Sequence, residues 1–407
     1  MTANDRIRLR ELAQQQLEIA HSPRMQELER LWYLHNDLKG ERPMVTVETN
    51  FQNDVYDLLM QCEDADARAI EQELLLRLVN ATHYMDDHFV PAYFPVKYQH
   101  KLLPFDIPVQ VEHAEGIGHH FVPVIQDLEE DFEKLKPSTF TYDTAEAAKA
   151  RVAYYEEIFG DILPLKLEGH CMVSCLTQNI VHLMEMEDIY IAMIDEPELF
   201  YQMMEKLADD YITFFEAQQT NQMILPTTHS EHLGQGTYCF THDLPDVPNP
   251  TLSQVWGFMD SQETVGVSPE MFAEFIFPHY KKIADRMGLV SYGCCEPVHP
   301  IWENCLSKMS NLRKVSISPW CDVNKMGDYL RGSKVIFQRK PSPNFLGVSE
   351  IFDEDAARAH IRETVEAAKG CHLEFTQRDV LTVHHDLNKV KRYVEIIREE
   401  YSRVSYR

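Results

Sequence analysis

Residues 289–339 read LVSYGCCEPVHPIWENCLSKMSNLRKVSISPWCDVNKMGDYLRGSKVIFQR. Three short runs rich in apolar residues, 289–295, 314–320 and 333–339, have the length of buried β-strands. The segments between them are long enough to form crossover helices, which parallel strands require. This stretch therefore predicts parallel strands joined by helices.

The same alternation covers most of the chain. Five more candidate strands lie at 43–50, 89–94, 164–171, 222–227 and 372–377. Long amphipathic helices separate most of them, and the clearest, 196–220, carries large apolar side chains three to four residues apart. Eight strands alternating with helices favour an α/β fold of the (β/α)8 TIM-barrel type over an open sheet. In such a barrel the C-terminal ends of the strands carry the chemistry.

Two segments modify this simple barrel. Residues 1–40 are polar with helical spacing, which predicts an N-terminal helical extension before a barrel formed by 41–407. The stretch 226–252 is rich in Pro, Gly and His and is too long for an ordinary connection, so we expect a lid or insertion at the active-site rim. The alternative is two domains divided near the polar stretch 142–150.

The composition excludes several classes of protein. The 407 residues include 65 Asp and Glu against 38 Lys and Arg, a formal net charge of −27, which disfavours binding to nucleic acid or to an anionic membrane. No uncharged apolar stretch is long enough to cross a bilayer. The nine cysteines are an odd number scattered along the chain, as is typical of reduced thiols. We therefore expect a cytoplasmic protein that acts on a small molecule.

Carboxylates occupy the polar faces of several predicted strands. In the run 372–377, Glu374 alternates with apolar residues, and Glu48 and Glu168 follow the same scheme in their strands. The apolar faces must pack on helices, so the carboxylates should point into the barrel. Buried carboxylates are costly without cations, protons or a metal ion. Either a functional site or an internal network of ion pairs would satisfy them.

Cationic and imidazole groups accompany these acids. Arg339 and Lys340 lie at a strand end, where they could hold a substrate carboxylate or phosphate. In the alternative interpretation, Arg339 and Lys166 neutralise the carboxylates of the barrel interior. His170, on the polar face of its strand, is a further candidate for substrate binding.

The segment 289–299 is the most informative one. Its strand ends in two thiols, a carboxylate and an imidazole within six residues, namely Cys294, Cys295, Glu296 and His299. Thiolates combined with His or Glu suit zinc. Adjacent cysteines point to opposite faces while a strand persists, so the alternation leaves open which thiol faces the interior. Two buried core thiols are the alternative.

Two other strand-end regions hold candidate residues. A predicted loop before the helix that starts at Ser268 contains Trp256, Asp260 and Glu263, which could bind substrate or donate protons. A solvated loop is the competing interpretation. Trp320 ends another candidate strand, whereas Cys371 precedes its strand and should be a core residue. Glycine-rich dinucleotide, P-loop and GxSxG motifs are missing from the sequence.

The order of several short motifs across residues 40–400 resembles the uroporphyrinogen decarboxylase superfamily. The motifs are DEPEL at 195–199, FMDSQ at 258–262, VSPEMF at 267–272, PHY at 278–280 and the strand that ends in Cys294. That superfamily contains cofactor-free decarboxylases with (β/α)8 barrels. It also contains zinc methyltransferases that move methyl groups between methylcorrinoid proteins and a thiol such as coenzyme M. The chain looks similar to a bacterial branch with a Tyr-Gly-Cys-Cys-Glu-Pro signature.

The resemblance favours the methyltransferase branch. The decarboxylases have an Arg-rich motif after the first strand, whereas residues 47–53 contain no Arg. Cys294 matches the zinc-binding Cys at the end of strand five, and the comparison selects the face that carries Tyr292, Cys294 and Glu296. Tyr292 stands where those enzymes have a His, and the tip of strand eight, 376–379, has no Cys. The resemblance therefore implies that Glu263, Glu296, His299 or Glu374 completes the metal site.

These observations combine into one functional expectation. We expect a methyltransferase-like enzyme that moves a methyl group between a corrinoid protein or a methylated small molecule and an acceptor. The expected metal ligands for zinc are Cys294, Cys295 and His299; the expected catalytic residues are Tyr292, Glu263, Glu296 and Glu374; the expected substrate-binding residues are Trp256, Asp260, His170, Trp320, Arg339 and Lys340. Any corrinoid would arrive on a separate protein. Whether the chain forms a homodimer stays open. The alternatives are a decarboxylase or lyase acting on a small carboxylate, and a non-catalytic small-molecule-binding barrel.

Overall fold

The structure is a computed structural model of the 407-residue chain. It describes residues 1–49, 52–113, 119–168, 171–230 and 232–405. His170, one of the expected substrate-binding residues, lies outside this range.

Two helices open the chain, as the polar N-terminal pattern predicts. They are α1 (Ala3–Ala20) and α2 (Pro23–Asn36). The Thr2 hydroxyl accepts a hydrogen bond from the backbone N–H of Asp5, and the Asp5 carboxylate accepts one from Thr2, which fixes the start of α1. Ser22 caps α2, whose first residue is a proline.

Parallel strands form the centre of the molecule. They are β1 (Met44–Val47), β2 (Phe94–Lys97), β3 (Leu165–Glu168), β4 (Met172–Val173), β5 (Trp256–Met259), β6 (Leu289–Tyr292), β7 (Leu312–Ile317), β8 (Ile336–Arg339) and β9 (Leu373–Gln377). Seven of them make one parallel sheet in the order β1-β9-β8-β7-β6-β5-β4, and β2 pairs in parallel with β3. The first and last strands of the chain are neighbours, as closure of a barrel requires. The predicted α/β fold of the TIM-barrel type is confirmed.

Helices connect and cover the strands. They are α3 (Asn53–Leu59), α4 (Ala65–Val79), α5 (Ala145–Phe159), α6 (Leu176–Val181), α7 (Met186–Asp195), α8 (Pro197–Thr220), α9 (Phe277–Ala284), α10 (Val323–Leu330), α11 (Glu354–Ala367) and α12 (Leu387–Ser405), besides shorter turns. The predicted helix 196–220 is α8, and its apolar stripe is buried. The alternative domain division near 150 falls inside helix α5.

Two carboxylates accept the backbone hydrogen bonds of β1 on the edge opposite to β9. Among the described residues no backbone ladder joins β1 to β2. The Asp87 side chain instead accepts a hydrogen bond from Val45 N–H at 2.8 Å, and the Asp86 side chain accepts one from Val47 N–H at 2.8 Å. Buried backbone donors need such partners, so the two aspartates replace the missing ladder.

The structure corrects the fourth strand. Residues 222–227 are irregular, with Gln222 at a positive φ of 55° and a proline at 226, so the prediction of a strand there was wrong. The strand that takes this place in the sheet is β5 (Trp256–Met259), for which the sequence predicted a loop. Trp256 starts β5 and is fully buried, with its indole N–H donating to the Cys239 carbonyl at 2.9 Å. Trp256 is therefore a core residue at the N-terminal end of its strand, away from the strand ends that hold the chemistry.

The stretch 226–252, expected as a lid or rim insertion, contributes a hairpin formed by His232–Gly234 and Thr237–Tyr238, here called the inner hairpin. Its tip accepts a hydrogen bond from Thr46 of β1 at 2.8 Å, through the Gly236 carbonyl. Lys314 of β7 donates to the Thr237 hydroxyl at 2.6 Å. A Cβ at Gly236, whose φ is +77°, would lie 2.6 Å from Thr376 of β9. Because its tip touches strands on several sides, the inner hairpin lies inside the barrel.

In the described part of the chain, no helix combines the length and the apolar character that a membrane crossing would need.

Candidate functional site

The chain turns sharply where β6 ends. Strand β6 stops at Tyr292, and Gly293 has a φ of +102°, a backbone conformation that residues other than glycine rarely adopt. This turn interrupts the alternation of faces. The Sγ atoms of Cys294 and Cys295 consequently lie together, 3.6 Å apart, instead of pointing to opposite sides. The expected alternation, in which one thiol faces the interior and the other faces the opposite side, does not describe this arrangement.

Cys294 is buried beside two cations. Arg378 Nη1 lies 3.5 Å from its Sγ atom, and Lys340 Nζ lies 3.4 Å from its backbone carbonyl oxygen. The hydrogen bond from Cys295, together with Lys340 and Arg378, outweighs burial and lowers the pKa of Cys294 to about 6. The pKa of Cys295 is raised, because its proton is held by the Cys294 sulfur and because it is partly buried. The pair therefore holds one thiolate and one thiol at neutral pH.

Both cations are held in place by other strands. The Arg378 guanidinium, which follows β9, donates from Nε to Glu48 at 2.6 Å. Glu48 follows β1, so this ion pair spans the junction of the first and last strands. Lys340 follows β8 and donates to the Gln235 side chain at the tip of the inner hairpin. The inner hairpin thus supports the cation that faces Cys294.

Glu296 joins the ends of β5 and β6. It is almost fully buried, and its two carboxylate oxygens accept hydrogen bonds from Ser261 N–H at 3.0 Å and from Cys294 N–H at 2.8 Å. These bonds hold the backbone of Cys294 and fix the direction of its side chain. Glu296, expected as catalytic or as a metal ligand, is positioned as a support for the thiolate.

Asp260 directly follows β5 and is 5% exposed. No described residue binds its Oδ1 atom. Burial, followed by the charges of Glu296, Cys294 and Glu263, raises the pKa of Asp260 to about 8. Asp260 is therefore an uncharged carboxylic acid at neutral pH and can donate a proton near Cys294.

Glu263 and Tyr292 lie near Asp260 with different surroundings. Thr177 donates its hydroxyl to Glu263 at 2.7 Å, and burial raises the pKa of Glu263. The Tyr292 hydroxyl binds the Ser261 hydroxyl, and its ring packs edge-on against Tyr280 of α9 at a centroid distance of 6.2 Å. Tyr292 therefore faces the helix layer, on the outer side of the sheet.

The structure separates Glu374 from the thiols. Its Oε2 atom lies 2.8 Å from Lys314 Nζ and 3.0 Å from His35 Nε2, and all three side chains are buried. Burial opposes the charge of Glu374, but Lys314 and His35 outweigh it and lower its pKa to about 2. Glu374 thus belongs to an internal ion-pair network, as the alternative interpretation held. The partner is Lys314, in place of the expected Lys166 or Arg339.

Other expected residues lie away from Cys294 as well. Arg339 points outward, where it donates to the Ser318 carbonyl at 2.6 Å and contacts His360 of α11 at 3.2 Å. His299 accepts a hydrogen bond from Asp322 N–H at 3.2 Å, at the start of α10. Trp320, beyond the end of β7, is 73% exposed. None of these contacts brings a side chain to the thiol pair.

A cavity of about 400 Å³ adjoins this site. Glu48 and Arg378 line it, and so do His88, His232 and Lys97. The His88 Nδ1–H group donates a hydrogen bond to the Asp86 carboxylate at 2.8 Å. Burial, followed by His88, Lys97 and Arg77, lowers the pKa of His232 to about 3, so its ring is uncharged. The cavity gives a small molecule access to the ion pair that contacts Cys294.

Arg378 was missed by sequence reasoning. The rule that strand-end residues carry the chemistry could have selected it, because it directly follows β9. Lys97 ends β2, and His88 precedes it. The predicted strand, 89–94, lies a few residues before β2, so the same rule could not select them.

The described residues do not fit a zinc ion. Zinc needs three or four ligands, and no group of three or more His, Cys, Asp or Glu side chains in the described ranges is arranged to hold a metal. The thiol pair offers two sulfur atoms, and Arg378 and Lys340 already face Cys294. We therefore assign no step to zinc.

The protonated state of Asp260 makes stability depend on pH. Its pKa is about 8 in the folded chain against an ordinary 3.8, so folding favours the protonated form. This contribution is complete below pH 4 and is lost as pH rises to 8, at about 1.4 kcal/mol per pH unit relative to Asp260→Asn. Urea unfolding of both proteins at several pH values measures the difference. For Asp285→Asn, a change at an exposed position, the curve of unfolding free energy against pH should run parallel to that of the wild type. A parallel curve for Asp260→Asn would contradict the protonated state assigned to Asp260.

Comparison with known proteins adds one finding. No protein-family model matches the chain, and no curated protein matches its sequence. Among solved structures, a methyltransferase from Methanosarcina mazei is similar over 92% of this chain and 99% of its own length, with a TM-score of 0.53 and 14% sequence identity. At this identity the likeness shows the fold alone, and it agrees with the parallel α/β arrangement described above.

Proposed function

We propose that this protein is a methyltransferase. It moves a methyl group between a corrinoid carried by a separate protein, or a methylated small molecule, and a thiol acceptor. The reaction takes place around Cys294 at the C-terminal ends of the strands.

The single observation that carries the proposal is the anionic sulfur site. Cys294 is held next to Arg378 and Lys340 while Glu296 fixes its backbone. A site that stabilises one thiolate also suits the thiolate of a substrate, since the same cations favour the charged form. The similarity in fold to a methyltransferase supports this choice among reactions of thiolates.

Proton transfer follows from the two shifted groups. The Cys294 thiolate takes the proton of the acceptor thiol, and the new thiolate replaces it as the anion beside Arg378 and Lys340. That thiolate attacks the methyl group of the donor. When the donor is a methoxy or methylamino compound, Asp260 protonates the leaving group. Cys294 then returns its proton to Asp260, or releases it to water when the donor is a corrinoid, so the protein regains its starting state.

Methyl transfer from methylcobalamin to 2-mercaptoethanol tests the proposal, because loss of the methyl–cobalt absorbance reports the reaction. Cys294→Ala should lower the rate by about 100-fold or more, the usual contribution of a proton-transfer group. Cys371→Ala, at the other end of its strand, is the matched control and should keep the wild-type rate. Equal rates for Cys294→Ala and the wild type would contradict the role of Cys294. If the wild type transfers no methyl group from methylcobalamin or from a methoxy or methylamino compound, the non-catalytic barrel is favoured.

A second function is favoured by one observation. Asp260 is a buried neutral acid. The cavity beside Arg378 is lined by the cations Arg77, Lys97 and Arg378 together with Glu48, Glu73 and Glu168. A decarboxylase or lyase acting on a small carboxylate would use such cations to orient its substrate and such an acid to protonate the product. Carbon dioxide release that persists in Cys294→Ala but disappears in Asp260→Ala would select this alternative.

A further inference from the structure

The neighbouring thiols differ in their surroundings. Cys294 is 7% exposed and faces Arg378, whereas Cys295 is only partly buried. The Cys295 Sγ atom lies 3.9 Å from a carboxylate oxygen of Asp379. Cys294 therefore has the environment of a nucleophilic thiolate, and Cys295 has a carboxylate beside it that can take up its proton.

The two sulfur atoms are also close enough to react with each other. They are 3.6 Å apart, and the turn at Gly293 places both on the same side of the chain. Both cysteines are free thiols. The methyl-transfer scheme uses Cys294 alone, so the second thiol has no role in it.

We propose that Cys294 and Cys295 form a vicinal dithiol that low-molecular-weight disulfides oxidise reversibly. This reaction goes beyond the proposed methyl transfer, and only its consequence for that activity rests on the proposed function.

The steps balance with the disulfide as the named oxidant. The Cys294 thiolate attacks one sulfur of a disulfide R–S–S–R, which forms Cys294–S–S–R and releases R–S⁻. Cys295 gives its proton to Asp379, and its sulfur attacks the Cys294 sulfur. The S–S bond of the mixed disulfide breaks, and a second R–S⁻ leaves. Because Cys294 starts as a thiolate, one leaving thiolate takes the proton that Cys295 passed to Asp379 and the other takes a proton from water. The protein is thereby oxidised by two electrons, and the disulfide is reduced to two thiols.

The product should be easy to reduce. The Cα atoms of adjacent residues are about 3.8 Å apart, whereas most protein disulfides join Cα atoms about 4.4–6.8 Å apart. A bond between neighbours is therefore strained, and strained disulfides are the labile ones. Oxidation removes the thiolate beside Arg378, so it should switch off any reaction that depends on it.

Oxidised glutathione tests this proposal on the full-length protein. After incubation and alkylation of the remaining thiols, mass spectrometry of the peptide that contains both cysteines gives the readout. The wild-type peptide should be lighter by two hydrogens, free of glutathione, and restored by dithiothreitol. Cys295→Ser should accumulate glutathione on Cys294, because the resolving thiol is absent.

Two control variants complete the experiment. Cys294→Ser should form neither the internal disulfide nor a glutathione adduct on Cys295, and Cys371→Ser should behave like the wild type. Circular dichroism checks that each variant is folded. Wild-type protein with stable glutathione on Cys294, or with two fully alkylated thiols, would overturn the proposal. The readout is the mass of a peptide, so it stands even if methyl transfer is not observed.

Discussion

Glu374→Ala should lower the free energy of unfolding by about 3–5 kcal/mol at pH 7, the cost of leaving a buried charge without its partner. Lys314 is fully buried, and Glu374 is its carboxylate partner at 2.8 Å. Among the described residues, the ammonium group would keep its hydrogen bond to the Thr237 hydroxyl and its place 5.4 Å from the Trp32 ring centroid, and neither group carries a negative charge. Urea unfolding followed by circular dichroism measures the loss.

The double variant Lys314→Met with Glu374→Leu separates the charge from the packing. Replacing a whole buried pair by apolar groups is often neutral, so this variant should recover most of the stability lost by Glu374→Ala. Glu27→Ala, which removes an exposed ion pair with Arg30, should leave the midpoint of urea unfolding unchanged. If Glu374→Ala matches Glu27→Ala, the internal network does not stabilise the fold.

The pH dependence of this network has a definite sign. Lys314 and His35 hold the pKa of Glu374 at about 2, below its ordinary 4.5, although burial opposes its charge. The carboxylate therefore contributes its stability above about pH 4.5 and loses it as the pH falls toward 2. The wild type should approach the stability of Glu374→Ala in that acid range.

At pH 7, iodoacetamide should modify Cys294 about 100-fold faster than Cys371. The pKa is about 6 for Cys294 and about 11 for Cys371, which burial raises. The thiolate fractions then differ by about 10⁴, and the lower intrinsic nucleophilicity of the less basic thiolate removes about two powers of ten. Mass spectrometry of the alkylated peptides over time gives both rates.

The pH profile of this alkylation tests its cause. The rate at Cys294 should rise tenfold per pH unit below pH 5 and level off above about 7, because its pKa is about 6. Arg378→Met removes one of the cations and should move the midpoint to higher pH. Arg331→Met, beside Cys371, is the matched control and should leave the Cys294 profile unchanged. A Cys294 midpoint near the ordinary thiol value of 9 would contradict the assigned site.

The sequence by itself determined the class of fold. Apolar periodicity is a local property, so the alternation of strands with helices and the long helix α8 could be predicted from neighbouring residues. The same is true of the two faces of β9, where Glu374 points inward and Phe375 outward into the core. The strand-end rule likewise directed attention to Cys294, whose charge helps to raise the pKa of Asp260.

Only the tertiary structure decided which groups meet. Glu374 pairs with a lysine 60 residues away, Arg378 meets Cys294 across 84 residues, and the inner hairpin fills the barrel through contacts with several strands. Such pairs depend on strand register and on the path of a long connection, and no local pattern encodes either. The positive φ of Gly293 also cancels the alternation that would have separated Cys294 from Cys295. A period-two rule holds only while the strand continues, and the site begins where the strand ends.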